Sequence, residues 1–151
     1  MKRIIFSAML VMSACMVFAA RNYIYEMPVT EGCQAVRERL EDNRFELVKV
    51  DGNLRFFSDK INTKAVYRAI EGDTVEILLF QIAKEPNQRA AKRQFEEQLK
   101  ETEKRFGKAD EVSEEDGEKM YVWRTSNGYT LALMDEKGSI SLTWALSSNY
   151  Q

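Results

Sequence analysis

The chain has 151 residues, with 22 basic and 24 acidic side chains and a formal net charge of −2 at pH 7. This length suits one domain with one core. The near balance of charge does not favour nucleic acid as a partner, because such proteins carry a basic surface. The sequence contains no histidine, which excludes imidazole-based catalysis and the commonest transition-metal ligand. We therefore expect a protein that is not an enzyme and that uses no cofactor and no metal.

Residues 1–19 have the pattern of a signal peptide. Lys2 and Arg3 precede a continuous apolar run that starts at Ile4 and ends in small residues. A positive head, a short apolar helix and small residues before the cut are what export requires. The pattern predicts cleavage after Ala19, which leaves residues 20–151 as a single exported α+β domain in the periplasm or outside the cell.

Two other outcomes of export remain open in the sequence. The segment from Met12 to Cys15 resembles a bacterial lipoprotein box, in which Cys15 carries lipid and becomes the new N-terminus. An uncleaved anchor is the third outcome, although the apolar run is short against the roughly 20 residues of a spanning helix. Contact with a membrane is thus expected only if Cys15 is lipidated or the segment is left uncleaved.

The first half of the chain predicts one helix and four strands. Residues 21–28 carry Tyr23 and are expected to add a short strand, and Thr30 is expected to cap a helix that runs to about Asn43. Asp51-Gly52 is a hairpin signal. The strands are expected at 45–50, 54–58, 65–70 and 74–82. The last of these is too continuously apolar for a sheet edge, so it is expected to be central.

The second half predicts a longer helix and three strands. The helix is expected from Asn87 to Gly107, with one apolar and one charged face. The acidic segment 111–118 is expected to be a solvated loop. Strands follow at 119–125, 129–135 and 139–146. The predicted fold is α+β, an antiparallel sheet with two helices packed on it in the order α-ββββ-α-βββ, which suggests a loose duplication.

Cys33 is the one thiol that remains after either cleavage, and two interpretations apply to it. The positive end of a helix dipole would lower its pKa and make it reactive. Alternatively, Cys33, Val36 and Leu40 recur at helical spacing and form one buried stripe. The second interpretation is favoured, so Cys33 is expected in the core.

A candidate ligand-binding face depends on the turn before the penultimate strand. If Asn127-Gly128 is a two-residue turn, two aromatic rings share one face with small and hydroxyl side chains. That face would suit a sugar ring or another protein. The candidate residues are Tyr121, Trp123, Thr130, Ser141 and Thr143. A three-residue turn from Ser126 to Gly128 would instead reverse the face of the aromatics.

A resemblance to known proteins rests on four segments of the C-terminal third. They are Arg105-Phe106-Gly107-Lys108-Ala109-Asp110, Tyr121-Val122-Trp123, Gly128-Tyr129-Thr130-Leu131 and the stretch from Gly138 to Trp144. This layout is similar to small exported proteins of the β-lactamase-inhibitor-like type and to outer-membrane assembly lipoproteins. The resemblance implies a non-enzymatic role in the cell envelope.

These observations favour a non-catalytic exported binding or scaffolding module of the bacterial cell envelope, with a protein or glycan partner. One alternative is a secreted inhibitor that binds a single target through Tyr121 and Trp123. Another is a glycan hydrolase, which would need two acids facing each other about 5 to 9.5 Å apart.

Overall fold

The computed structural model describes residues 21–150, which form an antiparallel sheet of eight strands with two α-helices. The helices are α1 (Cys33–Asp42) and α2 (Gln88–Phe106). The strands are β1 (Glu46–Asp51), β2 (Leu54–Ser58), β3 (Thr63–Ile70), β4 (Thr74–Ala83), β5 (Glu111–Glu115), β6 (Glu118–Arg124), β7 (Tyr129–Glu136) and β8 (Ser139–Leu146). Short 3₁₀-helices cover Arg21–Glu26, Val29–Glu31 and Ser147–Tyr150. The predicted α+β class with helices on an antiparallel sheet is confirmed.

The sheet consists of two four-stranded meanders that are joined through their last strands. The strand order is β1-β2-β3-β4-β8-β7-β6-β5. We call residues 33–83 the first repeat and residues 88–146 the second, since each is a helix followed by four strands. The pairs Leu78–Trp144 and Phe80–Leu142 flank the pair Leu79–Thr143. An approximate twofold axis therefore passes through Leu79–Thr143. We call two strand residues that this axis relates, one from each repeat, mates.

The second repeat contains a strand that the sequence did not predict. Residues 111–118, expected as a loop, form β5 and the turn that leads into β6. Asp116 and Gly117 occupy the left-handed region, with φ of 53° and 81°, as a tight hairpin turn requires. Every residue of β5 is exposed. An edge strand can carry acidic side chains because they remain in water there.

α1 begins two residues later than predicted, with Gly32 instead of Thr30 at the N-cap position. Thr30 lies in a 3₁₀ turn, and α1 starts at Cys33. Asp73, in the β3–β4 turn, accepts from the backbone N–H of Cys33 through its carbonyl at 2.7 Å and from that of Gln34 through Oδ1 at 3.1 Å. A Cβ on Gly32 would lie 2.3 Å from Oδ2 of Asp73. A residue from the other end of the repeat therefore holds the helix start.

Both helices lie on one face of the sheet, and the N-terminal 3₁₀ segment packs there with them. The ring N–H of Trp144 donates to the carbonyl of Ile24 at 2.9 Å. The hydroxyl of Tyr129 donates to the carbonyl of Val75 at 2.6 Å. Arg21–Glu26, predicted as a strand, is helical, and Tyr23 within it is buried. Buried side chains from both repeats form one hydrophobic cluster.

The predicted signal peptide 1–19 and the alternative lipidation site Cys15 lie outside the described residues. Between residues 21 and 150, neither helix combines the length and the apolar character that crossing a membrane requires.

Candidate functional site

The turn between β6 and β7 has three residues, Ser126 to Gly128. The backbone N–H of Thr125 donates to the carbonyl of Tyr129 at 3.2 Å, and the side chain of Asn127 accepts from the N–H of Tyr129 at 3.0 Å. This register pairs Trp123 with Leu131. Of the two turns that the sequence left open, the three-residue one therefore forms.

The predicted aromatic shelf is not formed, because Tyr121 and Trp123 lie on the helix-covered face. Trp123 is 1% exposed, and its ring N–H donates to the carbonyl of Gly107 at 2.9 Å. Tyr121 is partly exposed and stacks on Trp123 with ring centroids 6.3 Å apart. It also contacts Phe95 of α2, at 6.0 Å between centroids.

The other three candidate residues lie on the opposite face of the sheet. Thr143 pairs with Leu79, and Ser141 pairs with Gln81. Thr130 shares a hydrogen bond with Ser147 at 3.1 Å between the hydroxyl oxygens. Ser141 is only 2% exposed. The five predicted residues therefore do not form one surface.

The face that carries Thr143 is covered by neither α-helix, and we call it the uncovered face. Its central row crosses all eight strands through consecutive pairings. In spatial order the row is Lys49, Phe56, Val66, Leu79, Thr143, Ala132, Val122 and Glu111. Six of these eight side chains carry no charge, so the middle of the uncovered face is suited to contact with another molecule.

The two halves of this row differ in side-chain size. Phe56, Val66 and Leu79 of the first repeat have smaller mates in the second. Those mates are Val122, Ala132 and Thr143, respectively. The end of the row is Lys49 in one repeat and Glu111 in the other. The uncovered face is thus bulkier, more apolar and more basic on the first repeat.

A depression of about 350 Å³ occupies the first-repeat half, and we call it the β1–β4 depression. Val48, Phe56, Val66 and Leu79 supply its apolar surface. Two lysines also line it, Lys49 and Lys64, and no acidic side chain does. The Lys49 ammonium lies 5.7 Å from the centroid of the Phe56 ring.

The two edges of the sheet have different chemistry. β1 forms one edge and exposes Val48 at 61% and Val50 at 53%. β5 forms the other edge and carries three glutamates, Glu111, Glu114 and Glu115, beside Val112. Charged side chains discourage another strand from pairing at an edge. The apolar surface of the β1–β4 depression therefore continues to an edge strand whose charges, on Glu46, Lys49 and Asp51, are of both signs.

A groove of about 680 Å³ lies on the helix-covered side, between α2 and the strands of the second repeat. Phe95, Leu99 and Tyr121 line it, so the partly exposed ring of Tyr121 opens into this groove. Lys84 forms an ion pair there with the buried Oδ1 of Asp135. Three lysines and three acids line it: Lys84, Lys92, Lys119, Glu85, Glu96 and Asp135. The balanced charge does not select a ligand of either sign.

Cys33 is 5% exposed and packs in the core. Burial, with a smaller contribution from the Asp73 charge, raises the pKa of its thiol to about 11. The thiol is therefore protonated at neutral pH, as expected for the core interpretation and not for a reactive cysteine. Within residues 21–150, no group of three or more Cys, Asp or Glu side chains is placed to hold a metal ion.

No family model matches the chain, and searches of curated proteins and of solved structures find no match. The resemblance of the C-terminal third to β-lactamase-inhibitor-like proteins and assembly lipoproteins stays a prediction. The fold and the site geometry therefore carry the functional argument.

Sequence reasoning missed the residues of the β1–β4 depression, although one signal pointed to them. The run from Val75 to Phe80 is almost continuously apolar. A strand in a sheet with one covered face normally alternates apolar and polar residues. Leu79 breaks that alternation and faces away from the helices. A continuous apolar run in an antiparallel strand thus indicates that both faces of the sheet are apolar at that point.

Proposed function

We propose that this protein is a non-catalytic, exported binding module of the bacterial cell envelope, which holds a protein partner on the uncovered face. The observation that carries the proposal is the central row, where Phe56, Val66 and Leu79 form an apolar surface that neither α-helix covers. Contiguous apolar surface rimmed by charge is typical of protein contact sites.

The chemistry of the uncovered face favours a protein over a glycan. Sugar rings are commonly held by stacking on aromatic faces, and Phe56 is the single aromatic residue in the central row. The neighbours Val66 and Leu79 offer no hydrogen bonds to hydroxyl groups. The inhibitor alternative placed its contact at Tyr121 and Trp123, and the burial of Trp123 removes that patch.

Two features of the chain support a role without catalysis. No histidine is present to act as a general base or nucleophile partner. Cys33 is the single cysteine in the described part of the chain, and its raised pKa keeps it as a neutral, buried thiol. A binding role requires neither group.

Export is supported by the position at which the core begins. Tyr23 and Ile24 are buried, and the carbonyl of Ile24 accepts from the ring N–H of Trp144. The described core residues thus begin four positions after the predicted cut at Ala19. Removing residues 1–19 leaves this contact intact. Intact mass spectrometry of the protein from soluble and membrane fractions tests the point. We expect a soluble chain that starts at Ala20, whereas a membrane-bound chain starting at lipidated Cys15 would favour the lipoprotein alternative.

Site-specific photo-crosslinking in the native host tests the binding face. A benzophenone amino acid replaces Thr143, at the centre of the uncovered face, and in a matched variant it replaces the exposed Glu97 on α2. We expect a discrete protein adduct from position 143 and none from position 97. Adducts from α2 alone, or from neither position, would contradict the proposal.

A further inference from the structure

We propose that the β1–β4 depression takes an apolar side chain with a neighbouring carboxylate from the protein partner. This inference rests on the proposed function, because the depression lies on the uncovered face. It adds the position of the anchor and the chemistry of the segment that fills it. The partner segment is therefore acidic and apolar.

The shape of the depression fits one large apolar side chain. Its volume is about 350 Å³, and a cavity of about 150 Å³ already holds a benzene ring. Phe56, Val66 and Leu79 belong to three adjacent strands, so they form a continuous apolar floor. Val48, 61% exposed, extends this floor toward the β1 edge. Filling such a pocket removes apolar surface from water on both molecules.

The charge around the depression determines which charge the partner can carry next to the inserted apolar side chain. Lys49 and Lys64 line it, and its lining includes no aspartate or glutamate. Because the Lys49 ammonium lies over the Phe56 ring, it is held beside the pocket. A carboxylate next to the inserted side chain would be attracted by the positive charge of these two lysines, whereas a lysine there would be repelled.

The second repeat supplies an internal comparison for this assignment. At the mates of Phe56, Val66 and Leu79 it has Val122, Ala132 and Thr143. At the mate of Lys49 it has Glu111. The same position in the other half of the sheet therefore lacks both the large apolar floor and the basic rim, although the backbone pairing is equivalent.

A second copy of this chain is a poorer occupant of this edge. An antiparallel pair of β1 strands centred between Val48 and Lys49 would place Glu46 opposite Asp51 of the other copy. Like charges directly opposite each other destabilise paired strands. We therefore expect the protein to be a monomer in sedimentation velocity experiments. Concentration-dependent dimers that disappear in Val48→Glu would overturn the assignment to a partner segment.

The test uses two capped dipeptides as probes, N-acetyl-Phe-Asp-amide and N-acetyl-Phe-Lys-amide. Methyl resonances of the full chain, as its expressing host processes it, are followed by NMR during titration. We expect binding on the order of 1 mM to 10 mM, with shifts at Val48, Val66 and Leu79. The acidic probe should bind at least about threefold more tightly. Equal affinity of the two probes, or the absence of shifts at these methyl groups, would overturn the inference.

Variants that introduce second-repeat residues into the β1–β4 depression test which side chains bind the probes. Leu79→Thr introduces the residue type found at the mate, Thr143. It should weaken binding of the acidic probe at least about fivefold. Lys49→Glu changes an exposed residue, leaves the apolar floor intact, and should remove or reverse the preference for the acidic probe. Val122→Ala in the second repeat is the matched control and should leave both affinities unchanged.

The outcome separates this inference from the proposed function. Probe-induced shifts at Val122 and Ala132, without shifts at Leu79, would overturn the β1–β4 depression as the anchor. The photo-crosslinked adduct from position 143 would then still support the uncovered face as the binding surface. Absence of the adduct together with selective binding in the depression would instead contradict the proposed protein-binding function.

Discussion

The two repeats build the same arrangement of one helix and four strands from unlike residues. β3 and β7 are both eight residues long, and each alternates its side chains between the two faces. Toward the helices, β3 places Ala65 and Tyr67 where β7 places Leu131 and Leu133. The comparison indicates that apolar alternation and turn positions determine the topology, while the identity of each side chain can vary.

The helices differ more than the strands do. α1 has 10 residues and α2 has 19. α2 is capped by its own Asn87, whose side chain accepts from the N–H groups of Arg89 at 2.9 Å and Ala90 at 3.2 Å. α1 depends instead on Asp73, from the far end of its repeat. The start of α1 is therefore coupled to the β3–β4 turn, whereas the start of α2 is local.

The largest expected effect tests whether the repeats share one core. Phe80 and Trp144 are mates beside the twofold axis, and both are buried. Replacing either by alanine should lower the free energy of unfolding by about 3–5 kcal/mol. Trp144→Ala should cost at least as much as Phe80→Ala, since it also leaves the carbonyl of Ile24 unpaired. Urea denaturation of both variants measures this; a loss below about 1 kcal/mol in one of them would mean that its repeat contributes little to stability.

A smaller loss of stability is expected where the start of α1 contacts Asp73 in the β3–β4 turn. Gly32 has φ of 106°, and an added Cβ would meet the Asp73 carboxylate. Gly32→Ala should lower the free energy of unfolding by more than the ~1–3 kcal/mol that a backbone with φ of 106° and ψ of 172° alone costs a residue with a Cβ. Gly72→Ala is the control, because Gly72 has φ of 86° with open space around it. Thermal unfolding compares the two variants, and equal losses would show that Asp73 moves away without cost.

The smallest effect concerns pH and Cys33. The pKa of this thiol is raised by folding from its ordinary value of 9.0 to about 11. An acid with a higher pKa in the folded state stabilises the fold below the unfolded pKa, and that contribution is lost as pH rises from 9 to 11. The free energy of unfolding should therefore be about 1 kcal/mol lower at pH 10 than at pH 7 because of this thiol.

Cys33→Ala isolates this effect from that of the tyrosines. Burial also raises the pKa values of Tyr67 and Tyr129, so their contributions change near pH 10 and above. Between pH 8 and 10, the unfolding free energy of wild type should fall more steeply than that of Cys33→Ala. Parallel profiles would mean that the thiol ionises equally in the folded and unfolded chains.

The sequence predicted most of the fold because its signals are local. The cap at Asn87 and the stop at Gly107 lie where expected. The first hairpin also forms, but its turn residues are Gly52 and Asn53, one position later than expected, because Asp51 pairs with Leu54. β5 was missed because its glutamates disfavour a strand by propensity, and only its position at the sheet edge permits them.

The candidate site was harder to predict because the face on which the β6 side chains lie changes when the β6–β7 turn is one residue longer. Asn127-Gly128 favours a two-residue turn by composition. The hydroxyl of Thr125 instead donates to the carbonyl of Tyr129 at 2.6 Å, which helps to hold a longer turn. One added residue reverses the face of every side chain on β6. The contact from Asp73 to α1 is likewise invisible in sequence, since 39 residues separate it from Gln34.

Photo-crosslinking at a pair of mates tests the central claim most directly. The benzophenone amino acid is placed at Val66 on β3 and, in a second variant, at Ala132 on β7, and both are followed in the native host. The two positions are equivalent in backbone pairing and both face away from the helices. We expect a strong partner adduct at position 66 and a weak one or none at position 132. A strong adduct at position 132 alone would contradict the assignment of binding to the first repeat.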